Sequence, residues 1–529
     1  MKPFSPSEAF ENIDVSSIPG TSPDPLIDLR YLSPTADGTA ANGKEILTLD
    51  EAIANLNRTV ATWNVGPNGT ITYSFAETPP GGLYKNPHEQ YLAGIVSNFT
   101  PFTADQRDAA RESIGLWDDL IAPSFKEIEG KGADIVFMNT GPGGPGQAAA
   151  FIPQYQGKYG KINGDIYVNA GQEDNFDLYY GGYGQTALTH EIGHAVGLSH
   201  TGDYNATGPD GQPRSPTYQA DAKYFQDSYQ YSIMSYFHSG NTGSRGYVNW
   251  ATGYAQTPQT PMVHDIAAVQ AMYGADLTTR TGDTVYGYNS TADRDVFNFE
   301  LNENPFLSIY DAGGHDTLDL SGFEGSYAIL DLRPGAFSTG FNYGDAAQLN
   351  ALWGTTFSQA QWNSIYDGRT ANPAFLTENI GIAYNTIIED GKTGAGNDEL
   401  RGNHVDNRLD AGAGNDILDG AEGNDTLIGG TGADQFRFTT TGGNTDEIVD
   451  FVSGTDKIDL SRIDANTSAA NDQAFTFLGG AEFTNVAGQL KSYSQDGDNY
   501  LAGDTNGDGV ADFIINLGSA TVVSTDLVL

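Results

Sequence analysis

The sequence predicts a multi-domain chain: a mixed α+β domain first, then an all-β domain built as a parallel β-roll and β-sandwich. Three observations predict it. The chain has 529 residues, more than one hydrophobic core ordinarily organises. Its texture changes near residue 279, where helical periodicity fades and Gly, Asp, Asn and Thr rise. From Thr393 it repeats with a period of nine, a spacing that stacks short parallel strands. The expected divisions are an arm or pro-segment at 1–45, the α+β domain at 46–278 and the all-β domain at 279–529.

The composition is that of folded domains, with 38% hydrophobic and 11% aromatic residues. Against 68 acidic residues stand only 25 basic ones, a formal net charge of -43. Such a surplus repels nucleic-acid phosphates and anionic lipid and attracts hard cations such as calcium, so neither nucleic acid nor membrane is an expected partner. The absence of cysteine excludes thiolate zinc sites, disulfides and cysteine nucleophiles. No apolar run is long enough to span a bilayer. The first twenty residues lack the basic end and apolar stretch of a cleavable secretory signal. That alone would suggest a cytoplasmic protein; the C-terminal half argues otherwise.

Along the α+β part, a helix is expected to begin near Leu47, where an acidic first turn precedes apolar spacing. Ile71, Tyr73 and Phe75 alternate with polar neighbours, a half-buried strand. Thr103 and Gln106 form a capping box, and the helix it opens puts Ala110, Ile114, Trp117 and Ile121 on one face. Strand-like runs follow at 133–139 and 164–169, then a helix closed by Gly197, and another from Met262 to Tyr273 between Pro261 and Gly274.

The chemistry is concentrated in residues 190–200. His190 and His194, four apart, share one helix face and can aim two imidazoles at one ion. Gly197 permits the sharp turn that returns His200 as a third nitrogen ligand. Three neutral imidazoles suit one catalytic zinc ion, which keeps a fourth position for water. Zinc lowers the pKa of that water from about 15.7 to roughly 7. Glu191 is placed to take its proton as the water attacks a carbonyl, and then to hand it to the leaving amine.

This His-Glu-x-x-His-x-x-Gly-x-x-His pattern resembles the metzincins, whose catalytic domain has a zincin-like α+β fold. Metzincins carry a structural methionine in a turn beneath the zinc, and Met234 stands 34 residues after His200. Tyr236, two residues later, is similar to the tyrosine of serralysins and astacins. The resemblance implies that it approaches the zinc at rest and, swung away, hydrogen-bonds the oxyanion. The segment 200–206 reads HTGDYNA, with Thr201 where serralysins usually have proline. His264 and His315 have no partner spacing and are read as ordinary surface or loop residues.

In the repeats, TGAGNDELR, GNHVDNRLD, AGAGNDILD, GAEGNDTLI and GGTGADQFR follow in register from residue 393. Position six is Asp398, Asn407, Asp416, Asp425 or Asp434; position eight is Leu400, Leu409, Leu418, Leu427 or Phe436. Glycine turns (Gly394, Gly396, Gly412, Gly414, Gly423, Gly430, Gly432) with inward carbonyls, plus the aspartates, suit several structural calcium ions, and the apolar residue enters the stacked core. The second unit is degenerate, so a site is weakened near Asn407. These units resemble repeats-in-toxin sequences. By the serralysin resemblance Asp283, Asp311 and Asp316, with Arg280, Gly282 and Gly313, form a further calcium site. Asp504, Asn506, Asp508 and Asp512 have the acid spacing of an EF-hand loop without its terminal glutamate; a calcium site and a plain turn are both open.

The chain ends in Asp526 and three apolar residues, as serralysins do. The resemblance implies extracellular secretion by a type I transporter through an uncleaved C-terminal signal, with calcium folding the roll outside the cell. It further implies protein or peptide substrates, a small protein inhibitor and a monomer. Residues 335–375 make the chain longer than the family pattern. Three readings stay open, two of them an active extracellular endopeptidase and a calcium-dependent binding module with a vestigial protease domain. An intracellular enzyme is a third.

Overall fold

The computed structural model describes residues 35–40, 42–79, 98–141, 145–153, 162–202, 204, 215–242, 244, 248–249, 254–323, 327–340, 378–441 and 444–529, with isolated positions between 347 and 361. Most of the 1–45 arm and of the 335–375 stretch therefore lies outside the described residues. The chain forms two compact units. Unit 1 holds Met1–Thr281 with Pro305–Ala312 and Pro373–Asn385; unit 2 holds Gly282–Asn304, Gly313–Asn372 and Thr386–Leu529.

In unit 1, Thr48 and Glu51 form the capping box that opens α1 (Leu49–Leu56). Thr103 and Gln106 do the same for α2 (Ala104–Asp118), each satisfying N–H groups that a helix start leaves unpaired. The strands are β1 (Thr70–Phe75), β2 (Ser124–Glu127), β3 (Ile135–Thr140), β4 (Ala148–Ala150) and β5 (Ile166–Asn169). They make one sheet in the order β2-β1-β3-β5-β4. All pairs are parallel except β4, which closes the edge antiparallel to β5. Ile71, Tyr73 and Phe75 bury against Ala110, Ile114 and Trp117 of α2, as the two periodicities require. The same core takes in Ile192, Ala195 and Val196 of α3 (Tyr183–Val196) and Ile266 and Val269 of α4 (Val263–Tyr273).

His264 is neither on the surface nor in a loop: it lies in the first turn of α4, buried between the rings of Tyr231 and Tyr384. Its neighbours Val263 and Ile266 take the helix start into the core and the imidazole with it. His315 does stay exposed, with Nε2 3.1 Å from an Asp390 carboxylate.

Unit 2 is a roll of short strands: β6 (Val285–Gly287), β7 (Thr317–Asp319), β8 (Ile329–Asp331), β9 (Asp390–Lys392), β10 (Glu399–Arg401), β11 (Arg408–Asp410), β12 (Ile417–Asp419), β13 (Thr426–Ile428), β14 (Gln435–Arg437), β15 (Thr445–Ile448) and β16 (Lys457–Asp459). They are followed by β17 (Thr476–Phe477), β18 (Gln489–Gln495), β19 (Asp498–Asp504), β20 (Phe513–Asn516) and β21 (Leu527–Val528). From β7 to β16 successive strands go to alternate sheets; the full orders are β6-β7-β9-β11-β13-β15-β20-β19-β18-β17 and β8-β10-β12-β14-β16-β21. Arg408 pairs with Thr426 and Ile417 with Gln435, in parallel. Each register step is thus two nine-residue units, one full turn of the roll. Leu400, Leu409, Leu418, Leu427 and Phe436 are all buried.

Candidate metal centre

The imidazoles come from α3 and the segment after it. Gly197 ends α3 with φ +116, and a Cβ there would lie 1.9 Å from the Ala61 carbonyl oxygen. Only glycine takes both that conformation and that approach. The chain reverses and brings His200 back: its Nε2 lies 3.2 Å from Nε2 of His190 and 2.9 Å from Nε2 of His194. Among the described residues this is the one group of three or more His, Asp or Glu whose ligand atoms all lie within 4.8 Å of one another.

The ring orientations fit a cation. Nδ1 of His190 donates to the Ile233 carbonyl and Nδ1 of His194 to the Leu198 carbonyl, each at 2.8 Å. These bonds assign the tautomer, which leaves both Nε2 atoms as lone-pair acceptors facing His200. One proton on His200 cannot satisfy both. Burial pushes His190 down to about 4 and His194 to about 3, with His200 well below its ordinary value, so all three are neutral, the form that ligates.

Glu191 is buried, and burial pushes its carboxyl up to about 8, opposed by a hydrogen bond from the Ala150 backbone on β4. Its Oε2 has no hydrogen-bond partner among the described residues. Met234 is fully buried beneath α3, where a Cβ on Gly193 would come 2.6 Å from its sulfur. Tyr236 is 46% exposed, its ring centroid 4.6 Å from that of His200 and 6.2 Å from that of His190.

Two acids that sequence reasoning missed hold this arrangement. Asp265 accepts from Ser232 Oγ and the Ile233 N–H, both at 2.6 Å, and from the Met262 N–H at 2.9 Å, tying the methionine turn to the start of α4. Its only sequence signal is a first-turn acid, which reads as ordinary capping. Asp227 accepts from Thr201, Tyr204 and Ser235, and nothing in its neighbourhood in the sequence marks it.

Comparison with known proteins decides the family. The profile described as "Metallo-peptidase family M12" matches residues 89–246, and "Peptidase M10 serralysin C terminal" matches 275–344 and 341–529. Metalloprotease AprA of Pseudomonas entomophila is 37% identical over 503 residues, 93% of this chain and 92% of that one. Serralysin G of Dickeya chrysanthemi is 32% identical over 501 residues, 92% of each. The chain belongs to the serralysin metalloproteases. It is a zinc metalloendopeptidase with a metallopeptidase domain followed by the family's C-terminal domain.

In this serralysin's roll, position-six aspartates cap one another across turns. Asp434 accepts from the Asp416 N–H, Asp416 from the Asp398 N–H and Asp398 from the Ala328 N–H, at 2.6–3.0 Å. The second oxygen of Asp416 is buried without a partner among the described residues. Burial, with the charges of Asp398 and Asp434 adding, pushes Asp416 up to about 8. Such a carboxylate fits a cation. At the degenerate unit, Asn407 instead donates its amide to the Glu389 carbonyl at 2.9 Å. Gly414 and Gly432 line the turns, where a Cβ would come within 1.4 Å of the preceding turn's carbonyl oxygen.

Arg280 and Asp311 belong to unit 1, Asp283 and Asp316 to unit 2. Arg280 pairs with Asp119 at 2.8 Å, while Asp283 accepts from the His315 N–H and Asp316 from the Thr284 N–H. In the 504–512 loop, Asp504 accepts from the Asn506, Gly507 and Gly509 N–H groups and Asp512 from Thr505 and Asn506. These carboxylates close the loop on itself through its own donors.

Proposed function

We propose that this zinc endopeptidase is secreted and hydrolyses extracellular proteins, with Glu191 as general base. The observation that carries the reading is three imidazole Nε2 atoms meeting at one point, with the Glu191 side chain buried on the same helix. His190, His194 and His200 would hold the ion. Zinc, when bound, supplies the Lewis acidity that lets water ionise near neutral pH. Glu191 takes the proton of the attacking water and delivers it to the departing amine nitrogen. The Ala150 N–H keeps that carboxylate oriented between the two transfers. The Tyr236 hydroxyl donates to the oxyanion, and Met234 supports the ligand helix from below. Because β4 is a sheet edge, it offers main-chain groups to an extended substrate.

Residues 46–278 make the protease domain in this reading and 279–529 the calcium-binding domain. Asp398, Asp416, Asp425 and Asp434 hold calcium with carbonyls of the glycine turns, and the ion offsets their mutual repulsion. The acidic, cysteine-free composition suits a calcium-rich extracellular medium. Among the described residues no helix is long and apolar enough to cross a membrane. A type I transporter, a small protein inhibitor and a monomeric state complete the reading. Casein hydrolysis by the purified chain tests it: cleavage should stop on zinc removal and return with zinc, not with calcium alone. Cleavage indifferent to zinc removal would sink the proposal.

A further inference from the structure

Of the three imidazoles, His200 is the one with no acceptor at Nδ1 among the described residues. Its segment is held through the backbone instead. The Arg58 guanidinium donates to the carbonyls of His200 and Gly202, and Asn55 donates to the Thr201 carbonyl at 2.6 Å. On the opposite side the Thr201 hydroxyl turns inward and donates to Asp227 Oδ1 at 2.5 Å. That same oxygen receives the Tyr204 hydroxyl and, at 2.8 Å, Ser235 Oγ. Thr201 and Asp227 are both buried. Ser235 sits between Met234 and Tyr236, and the Tyr204 ring stacks on Tyr236 with centroids 4.7 Å apart. One carboxylate oxygen thus gathers the segment behind the third imidazole and the turn that carries Tyr236.

We propose that Asp227, engaged by the Thr201 hydroxyl, is a positioning residue that fixes His200 and Tyr236 relative to the metal. It touches neither ring and acts through Thr201, Tyr204 and Ser235. A ligand whose other ring nitrogen finds no acceptor among the described residues leans on its backbone for direction, and partners behind metal ligands are typically worth about 10–100-fold in affinity. The inference rests on the zinc-peptidase reading.

Thr201→Val keeps the shape and removes the donor; Thr201→Ser keeps the donor. Zinc affinity is measured on the calcium-loaded full chain by competition with a chromogenic chelator, beside kcat, KM and the unfolding midpoint of the zinc-free protein. Thr201→Val should bind zinc about tenfold or more weakly and lose kcat more than it gains KM, while Thr201→Ser stays near wild type. Wild-type zinc affinity and kcat in Thr201→Val overturn the inference alone. A wild-type chain that binds no zinc overturns the peptidase reading and takes this inference with it. Should Thr201→Val not fold, Ser235→Ala removes a donor from the turn side. It is expected to weaken zinc about threefold, and an unchanged affinity there is equally fatal.

Discussion

The two candidate ion-binding regions differ in when their ligands meet. In unit 1 the imidazoles ride on elements held by contacts that do not need the ion: the core around Ile192 and Val196, the carbonyls behind His190 and His194, and the Asp265 bonds to the methionine turn. In unit 2 the carboxylates of Asp398, Asp416 and Asp434 stack one turn apart, and the charges of Asp398 and Asp434 add to burial in making Asp416 harder to charge. The first ion finds a site; the second, on the proposed reading, makes one. Losing zinc should therefore remove chemistry, and losing calcium should remove structure.

The largest expected effect sharpens the first half of that contrast. Glu191→Gln should lower kcat/KM for a peptide substrate by about 10²–10⁴-fold with zinc content and unfolding midpoint unchanged. A variant that stays active would show that the proton passes elsewhere. Gly414→Ala probes the other half. The backbone at 414 has φ +152, and the new Cβ would come 1.3 Å from the Gly396 carbonyl oxygen. The roll should lose roughly 3 kcal/mol or more, read as a higher calcium concentration for folding by circular dichroism. An unchanged midpoint would mean that the turns are not stacked this tightly.

A smaller effect comes from pH in excess chelator. Burial holds Asp416 and Asp425 up at about 8 and Asp398 and Asp446 at about 6, against an ordinary 3.8. The folded roll then binds protons more tightly than the unfolded chain. The penalty for charging these groups is absent below the ordinary value and grows as pH rises toward about 8. Calcium-free protein should therefore regain strand signal as pH is lowered from about 8 toward 5; a roll that loses signal over that interval would contradict the burial of these acids.

Much of this was legible because its signals are local or periodic. His190, Glu191, His194 and His200 are linked by helix geometry and one glycine turn, and the structure brings the three imidazoles together. Leu400 through Phe436 keep phase over five units, and all are buried. What stayed hidden depends on distant partners. Asp227 meets Thr201 across 26 residues and Asp265 meets Ile233 across 32, separations at which no spacing rule applies. His264 was misread because a lone histidine carries no pattern, and only packing decides whether it is inside. The strands at Leu307–Ile309 and Ile380–Ile382 pair in parallel within unit 1, although both lie beyond the change of texture.

Hydrogen exchange of the full-length chain, compared with both ions bound, with zinc alone removed and with calcium alone removed, tests the contrast most directly. Zinc removal is expected to leave α3 and the five-stranded sheet protected, with change confined to the segments around His200 and Tyr236. Calcium removal is expected to abolish protection across strands 390–459. Protection there that survives calcium removal, or melting of α3 when zinc leaves, would contradict the account.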